Sequence, residues 1–260
     1  MDRFNRISTI IIFFIYCALL PVWVYNLTWV DALLVVGMYW FLADVIQGLF
    51  LHRWASHELW SPPSWLQKVL STISVFALSG NPIGYAALHR QHHKYTDTEN
   101  DPHSPKHKGV WYVTSSWWRF EKIDPKRVAD RLRVPYFISI GKWEGIIAIT
   151  FNLLLFAIVY NTLGLQWFLT IWATPVALSI ILINFFVNVA LHKKGKPVDN
   201  KLFWPFAFSE CLHGTHHYGP MKLNYDMWDP SGRLVSLFGW TKESLSYKDA
   251  TSVPKYHQTP

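Results

Sequence analysis

Histidine is the residue type in this sequence whose number and spacing could do chemistry. Nine of its 12 histidines fall into four short groups, and the other three stand apart. The groups are His52 and His57; His89, His92 and His93; His192, which follows Asn188 by four residues; and His213, His216 and His217. Because residues three or four apart share a helix face, each H-x2-HH group predicts three imidazoles on one side of a helix. The five-residue spacing of the first group fits a helix less well and predicts a turning helix end.

Metal binding is the chemistry that this histidine set predicts. Imidazole binds iron, zinc and copper well, and one zinc ion usually takes four ligands. Nine histidines exceed one such site but suit two six-coordinate ions whose other positions hold water or oxygen. His103, His107 and His257 lie outside the pattern, so we expect them at the surface and not as ligands. Glu210 begins a single Glu-x-x-His motif, whereas soluble di-iron bundles use two, so we expect it to support the site or the structure without binding metal.

Long apolar runs must position these groups. Residues 7–25, 145–160 and 165–191 carry no charge, and 32–51 carry only Asp44. Runs of about 20 apolar residues span a bilayer, and four of them in 260 residues fit buried helices of a globular core poorly. The short connections 26–31 and 161–164 predict two helical hairpins.

The basic residues predict the orientation in the membrane. None of the 24 Lys and Arg residues lies within 7–52 or 143–192, and the positive-inside rule then places both termini and the middle segment in the cytoplasm. The net charge of +7 is explained by this topology and by anionic lipids, without nucleic acid. The polar-interrupted stretch 69–88 is predicted to lie in the membrane plane or to re-enter, because a crossing would separate the histidines. Cys17 is predicted to lie within the lipid and Cys211 on the cytoplasmic side, so no disulfide between them is expected.

The predicted fold is therefore an all-α integral membrane protein with four transmembrane helices in two hairpins. A single domain covers residues 1–260. Its spans lie at about 7–25, 32–51, 145–160 and 165–191, its in-plane segment at about 69–88, and its cytoplasmic His-rich helical cap at 89–144 and 192–260.

The combination of H-x4-H, H-x2-HH, N-x3-H and H-x2-HH resembles the membrane fatty-acid desaturases, closest to the acyl-CoA delta-9 (stearoyl-CoA) type, over about residues 30–240. The segment HRQHHKYTDTENDPHSP, from His89 to Pro105, is similar to that family too. The resemblance implies two irons, cycling between Fe2+ and Fe3+, with O2 as co-substrate. It implies one iron on His52, His57, His93 and His217 with Asn188 acting through a water, and the other on His89, His92, His192, His213 and His216.

The resemblance also implies a fatty-acyl substrate, with acyl-CoA expected, and an electron-donor protein of the cytochrome b5, ferredoxin or rubredoxin kind. Tyr85 and Asn184 stand where animal relatives have Trp and Thr, and they are expected to line the acyl tunnel. Gly214 stands where close relatives often have Asn. The residues expected to hold the substrate's polar carrier are Arg90, Lys94, Arg119 and Lys122, although solvated charge explains each of them equally well.

The implied reaction is the O2-dependent formation of a cis double bond. An unactivated methylene offers no handle to acid, base or nucleophile, so the oxidation must come from the metal and O2, while the protein supplies ligands, a dry tunnel and chain placement. A membrane di-iron hydroxylase shares the same histidine shell and remains the nearest alternative. A metal transporter is the alternative of another class, but its ionisable ligands would lie within the spans, and here they lie outside them.

Overall fold

A computed structural model describes residues 3–115, 122, 124–219 and 227–240. Every regular element among them is helical, and the nearest approach to a strand in that part of the chain is one isolated bridge between His192 and Pro197. The helices are α1 Arg3–Tyr25, α2 Trp29–Ser56, α3 Ser64–Phe76, α4 Pro82–Tyr95, α5 Pro105–Lys108, α6 Val110–Ser115, α7 Pro135–Lys142, α8 Glu144–Leu163, α9 Leu165–Ala190, α10 Trp204–Ala207, α11 His213–Tyr218 and α12 Pro230–Leu237. The all-helical prediction is confirmed for these residues.

Four helices are long and apolar enough to cross a membrane, namely α1, α2, α8 and α9. Their bounds lie within a few residues of the predicted spans. In α2 and α9, 61% and 67% of the apolar window is buried, against 22% and 17% in α1 and α8. The first two are therefore the inner pair, wrapped by other helices, and the histidine site lies at their ends.

Helix α2 begins at a capping box and ends in wider helical turns. The Thr28 hydroxyl accepts the Asp31 N–H, while the Asp31 carboxylate accepts the Thr28 N–H. From Phe41 to Ser56 the helix is π-helical, with hydrogen bonds between residues five apart. His52 and His57, five apart at the end of this segment, are therefore brought to one side.

The stretch 69–88 contains parts of two helices where the sequence predicted one segment. Helices α3 and α4 are separated by a turn in which Leu78 and Gly80 have φ of 59° and 98°. Asn81 then caps α4 by accepting the Gly84 N–H at 2.9 Å. With 13 and 14 residues, α3 and α4 fall short of the roughly 20 needed to cross a bilayer.

A buried asparagine links three of the four long helices. Asn152 of α8 accepts hydrogen bonds from the Tyr16 hydroxyl of α1 and the Trp172 indole of α9, at 2.6 and 2.7 Å. Its amide donates to the Phe76 carbonyl of α3. Because a buried amide without partners would be costly, these bonds fix the relative positions of four helices. Both cysteines are free, as predicted.

Candidate metal centre

The nine predicted histidines converge into two adjacent groups. In each group, one ligand atom of every residue lies within 4.8 Å of the others. The first group is His52, His57, His89, His93 and His216, and the second is His92, His192, His213 and His217. The structure thus brings together every histidine that the sequence singled out as a ligand.

Helix geometry explains how each H-x2-HH motif is divided between the groups. In α4, His89 and His93 are four apart and join the first group, whereas His92 joins the second. In α11 the pair at four-residue spacing, His213 and His217, joins the second group. Residues four apart lie in one row of a helix, and the residue between them is rotated toward the neighbouring row. Each motif therefore contributes to both groups.

This division differs at three positions from the one that the resemblance implied. His89 and His216 lie in the first group, and His217 lies in the second. The spacing alone places three imidazoles on one side of a helix, and only the packing of α4 against α2 and α11 decides which of them point to which centre.

The spacing of the ring nitrogens fits metal ligation. The Nε2–Nε2 distances are 2.8 Å for His52–His216, 3.0 Å for His93–His216, 2.9 Å for His192–His213 and 3.1 Å for both His213–His217 and His92–His217. Two nitrogens bound about 2.1 Å from one ion would be about 3.0 Å apart at a right angle and about 3.4 Å apart at a tetrahedral angle. The observed distances lie nearer the right-angle value than the tetrahedral one.

Three carboxylates each contact the Nδ1 atom of one histidine in these two groups. The contacts are Asp97 Oδ2 to His192 Nδ1 at 2.9 Å, Asp101 Oδ2 to His92 Nδ1 at 2.9 Å, and Glu210 Oε1 to His52 Nδ1 at 2.8 Å. A carboxylate favours the proton on Nδ1, which leaves the Nε2 lone pair free for metal. The supporting role expected for Glu210 agrees with this contact. The roles of Asp97 and Asp101 were not identified from the sequence, although both lie in the segment that carries the resemblance.

Burial favours the neutral form of most of these histidines. It lowers the pKa of seven of them well below the usual value, and the neighbouring imidazoles lower it further; they are His57, His89, His92, His93, His213, His216 and His217. Neutral imidazole is the form that binds metal, so these seven side chains are held in the form that suits metal binding.

The surface position expected for His103 is wrong. Its side chain is buried, and its ring centroid lies 3.8 Å from that of His92. Together with Asp101 these two residues form a third compact group. His107 is exposed, as expected, and His257 lies outside the described residues.

The residues predicted to hold the substrate's polar carrier lie in different surroundings. The Arg90 guanidinium bonds the Asp130 carboxylate at 2.8 and 2.9 Å and also donates to the Ser56 carbonyl, so it ties α4 to neighbouring segments. Lys94 and Lys122 are exposed, whereas Arg119 lies outside the part of the chain that is described.

A small cleft, with a cavity volume of about 30 Å³, lies against the histidines and is bordered by α2, α4 and α9. Tyr85 and Asn184, predicted to line an acyl tunnel, both line it, together with Gln47, Gly48 and Asn188. His52, His89 and His213 form part of the same wall. The cleft therefore borders both histidine groups.

The long apolar helices and the histidine groups together define a membrane protein with a candidate two-metal centre. The family model for fatty acid desaturases matches residues 27–238. The chain belongs to the fatty acid desaturase family, and it is accordingly an oxidoreductase.

Among its relatives, the chain is 30% identical over 233 residues to the sn-1 stearoyl-lipid 9-desaturase of Synechocystis sp., covering 80% of this chain and 71% of that protein. It is 26% identical to Delta-9 acyl-lipid desaturase 1 of Arabidopsis thaliana, and the match covers 84% of this chain and 72% of that protein. It is 28% identical to the sn-2 palmitoyl-lipid 9-desaturase of Nostoc sp., with 78% and 74% covered.

Proposed function

We propose that this chain introduces a cis double bond at a delta-9-like position of a fatty-acyl chain, with O2 as co-substrate and two irons as cofactors. The observation that carries the proposal is the pair of adjacent histidine groups beside a cleft, each with its ligand atoms within 4.8 Å of one another. When bound, the irons would supply, with O2, the oxidising chemistry that removes hydrogen from an unactivated methylene.

The protein's own residues would hold and orient the reactants. The first histidine group supplies five ligands and the second four, so Asn188 is proposed to complete the second centre by holding a water. Tyr85 and Asn184 would contact the acyl chain in the cleft, and this placement keeps the reacting carbons beside the metals.

We further propose a glycerolipid ester as the acyl carrier. The relatives described above are named for stearoyl-lipid, acyl-lipid and palmitoyl-lipid substrates, and Arg90 is already engaged by Asp130. Acyl-CoA, predicted from the resemblance, remains the alternative, with Lys94, Lys122 and Arg119 to bind its phosphates. The electron donor is proposed to be a cytochrome b5-, ferredoxin- or rubredoxin-like protein.

The proposed topology keeps one domain in the membrane, with α1–α2 and α8–α9 as two hairpins and α3 and α4 along the membrane plane. Both termini and the histidine cap would face the cytoplasm, because the Lys and Arg residues are concentrated in these segments. A reporter after Pro260 that registers on the far side of the membrane would contradict this orientation. Labelling of single cysteines in α3 from the far side would contradict its placement.

Lipid analysis after expression in a host without its own desaturase tests the reaction. The wild-type chain should yield a cis alkene, and a His217→Ala variant in the same host should yield none. An alcohol as the main product would favour the hydroxylase alternative, which shares the histidine shell. Purified enzyme with a reconstituted electron donor should then convert a glycerolipid-linked acyl chain. If it converts acyl-CoA and does not convert the glycerolipid, the carrier assignment is wrong.

A further inference from the structure

Two asparagines one helical turn apart form a one-way chain of hydrogen bonds at the cleft. Asn184 Nδ2 donates to the Ile180 carbonyl at 2.7 Å, and Asn188 Nδ2 donates to Asn184 Oδ1 at 3.0 Å. Both asparagines line the cleft beside the histidines, and Asn184 is buried. The direction of these bonds determines which end of Asn188 is presented to the site.

The Ile180 carbonyl fixes that direction. An amide side chain has an accepting end and a donating end of nearly equal shape, and its orientation is decided by its partners. The Ile180 carbonyl can only accept, so Asn184 must turn its Nδ2 toward it and its Oδ1 toward Asn188. Asn188 must then use its own Nδ2 for this bond, which leaves its Oδ1 as the atom offered elsewhere.

The resulting polarity suits a site for a cation. An accepting oxygen can bind the O–H of a water whose lone pair stays available to a metal ion, whereas an N–H in its place would compete for that lone pair. Asn188 lines the same cleft as His213, which belongs to the group with four histidines. Without a fixed partner, the Asn188 amide could present either end.

We propose that Asn184 is a positioning residue that holds the Asn188 oxygen toward the cleft, so that Asn188 binds a water or another O–H donor beside the second histidine group. This inference rests on the proposed function. It goes beyond the tunnel-lining role predicted for Asn184, because it assigns this side chain an effect on the metal centre.

The matched pair Asn184→Thr and Asn184→Val separates this role from simple packing. Threonine can donate its hydroxyl to the carbonyl one turn earlier and can accept from Asn188 with the same oxygen, whereas valine has nearly the same shape and does neither. If the valine variant does not fold, Asn184→Ser and Asn184→Ala give the same comparison at smaller volume.

Mössbauer spectra of the protein loaded with 57Fe provide a readout that is independent of turnover. The valine variant should keep two irons per chain, shift the signal of one iron, and lose about 10- to 100-fold in kcat. The threonine variant should keep the wild-type spectrum and be at least about tenfold more active than the valine variant.

Equal behaviour of the two variants would overturn the proposal. An unchanged spectrum with an altered double-bond position would also overturn it and leave Asn184 as a tunnel-wall residue only. If iron-loaded wild type makes no alkene, the proposed function fails, while the comparison of the spectra still tests the positioning role.

Discussion

Removing the Asp97 carboxylate should weaken the second metal site and leave the first intact. Asp97 Oδ2 accepts a hydrogen bond from His192 Nδ1 at 2.9 Å, and both side chains are almost completely buried. His192 belongs to the second group only. Because this carboxylate supports a ligand of the second group, the effect should fall on one of the two irons.

The size of the effect follows from this buried contact. A hydrogen bond to a charged group contributes about 1.5–3 kcal/mol, and each 1.4 kcal/mol corresponds to about a tenfold change in affinity. Loss of the carboxylate should therefore weaken the second site by about 10- to 150-fold.

The backbone at Asp97 determines which substitutions are informative. Its φ is 58°, in the left-handed region where alanine would add strain of about 1–2 kcal/mol and glycine would not. Asp97→Gly therefore removes the carboxylate without that strain. Asp97→Asn keeps an accepting oxygen and tolerates the same φ, so it should weaken the site by less than about tenfold.

Chelator competition on iron-loaded protein in detergent measures the two sites separately. Asp97→Gly should release one of its two irons at a chelator concentration about 10- to 150-fold lower than wild type requires, and the other at the wild-type concentration. Glu99→Gly, at an exposed position of the same turn, is the matched control. Equal loss of both irons, or a glycine variant that retains both like wild type, would refute the reasoning.

Three further predictions concern stability and ligation. Asp229→Asn should lower the free energy of unfolding by about 3–5 kcal/mol, because Arg53 Nη1 lies 2.7 Å from both oxygens of this buried carboxylate. Denaturant unfolding in detergent measures this loss, and a value below about 1 kcal/mol would contradict the prediction. His216→Ala should abolish product formation and lower the iron content toward one per chain, whereas the exposed His107→Ala should change neither; retention of full activity by the first variant would remove that residue from the site. Metal-free protein should lose stability as the pH falls below about 6.5. Burial lowers the pKa of histidines such as His89, so the folded state binds fewer protons than the unfolded state at low pH. Equal denaturation midpoints at pH 8 and pH 5.5 would contradict this prediction.

The sequence by itself predicted the four long helices and the set of nine clustered histidines. Apolar runs and the positions of Lys and Arg depend on residues close together in the chain, and they predicted the four long helices to within a few residues of the bounds in the structure. The same short-range spacing singled out the nine histidines that the structure brings together.

Only the tertiary structure decided how these ligands are divided and supported. The contact of Asp97 with His192 joins residues 95 apart in the chain, and no local periodicity encodes such a pairing. His103 lies outside the spacing pattern, yet the packing around His92 buries it. Arg90 was predicted to contact the substrate's polar carrier or to be a solvated charge, whereas the fold places Asp130 beside it. Periodicity tells which face of a helix a residue occupies, whereas its partner depends on which other helix packs against that face.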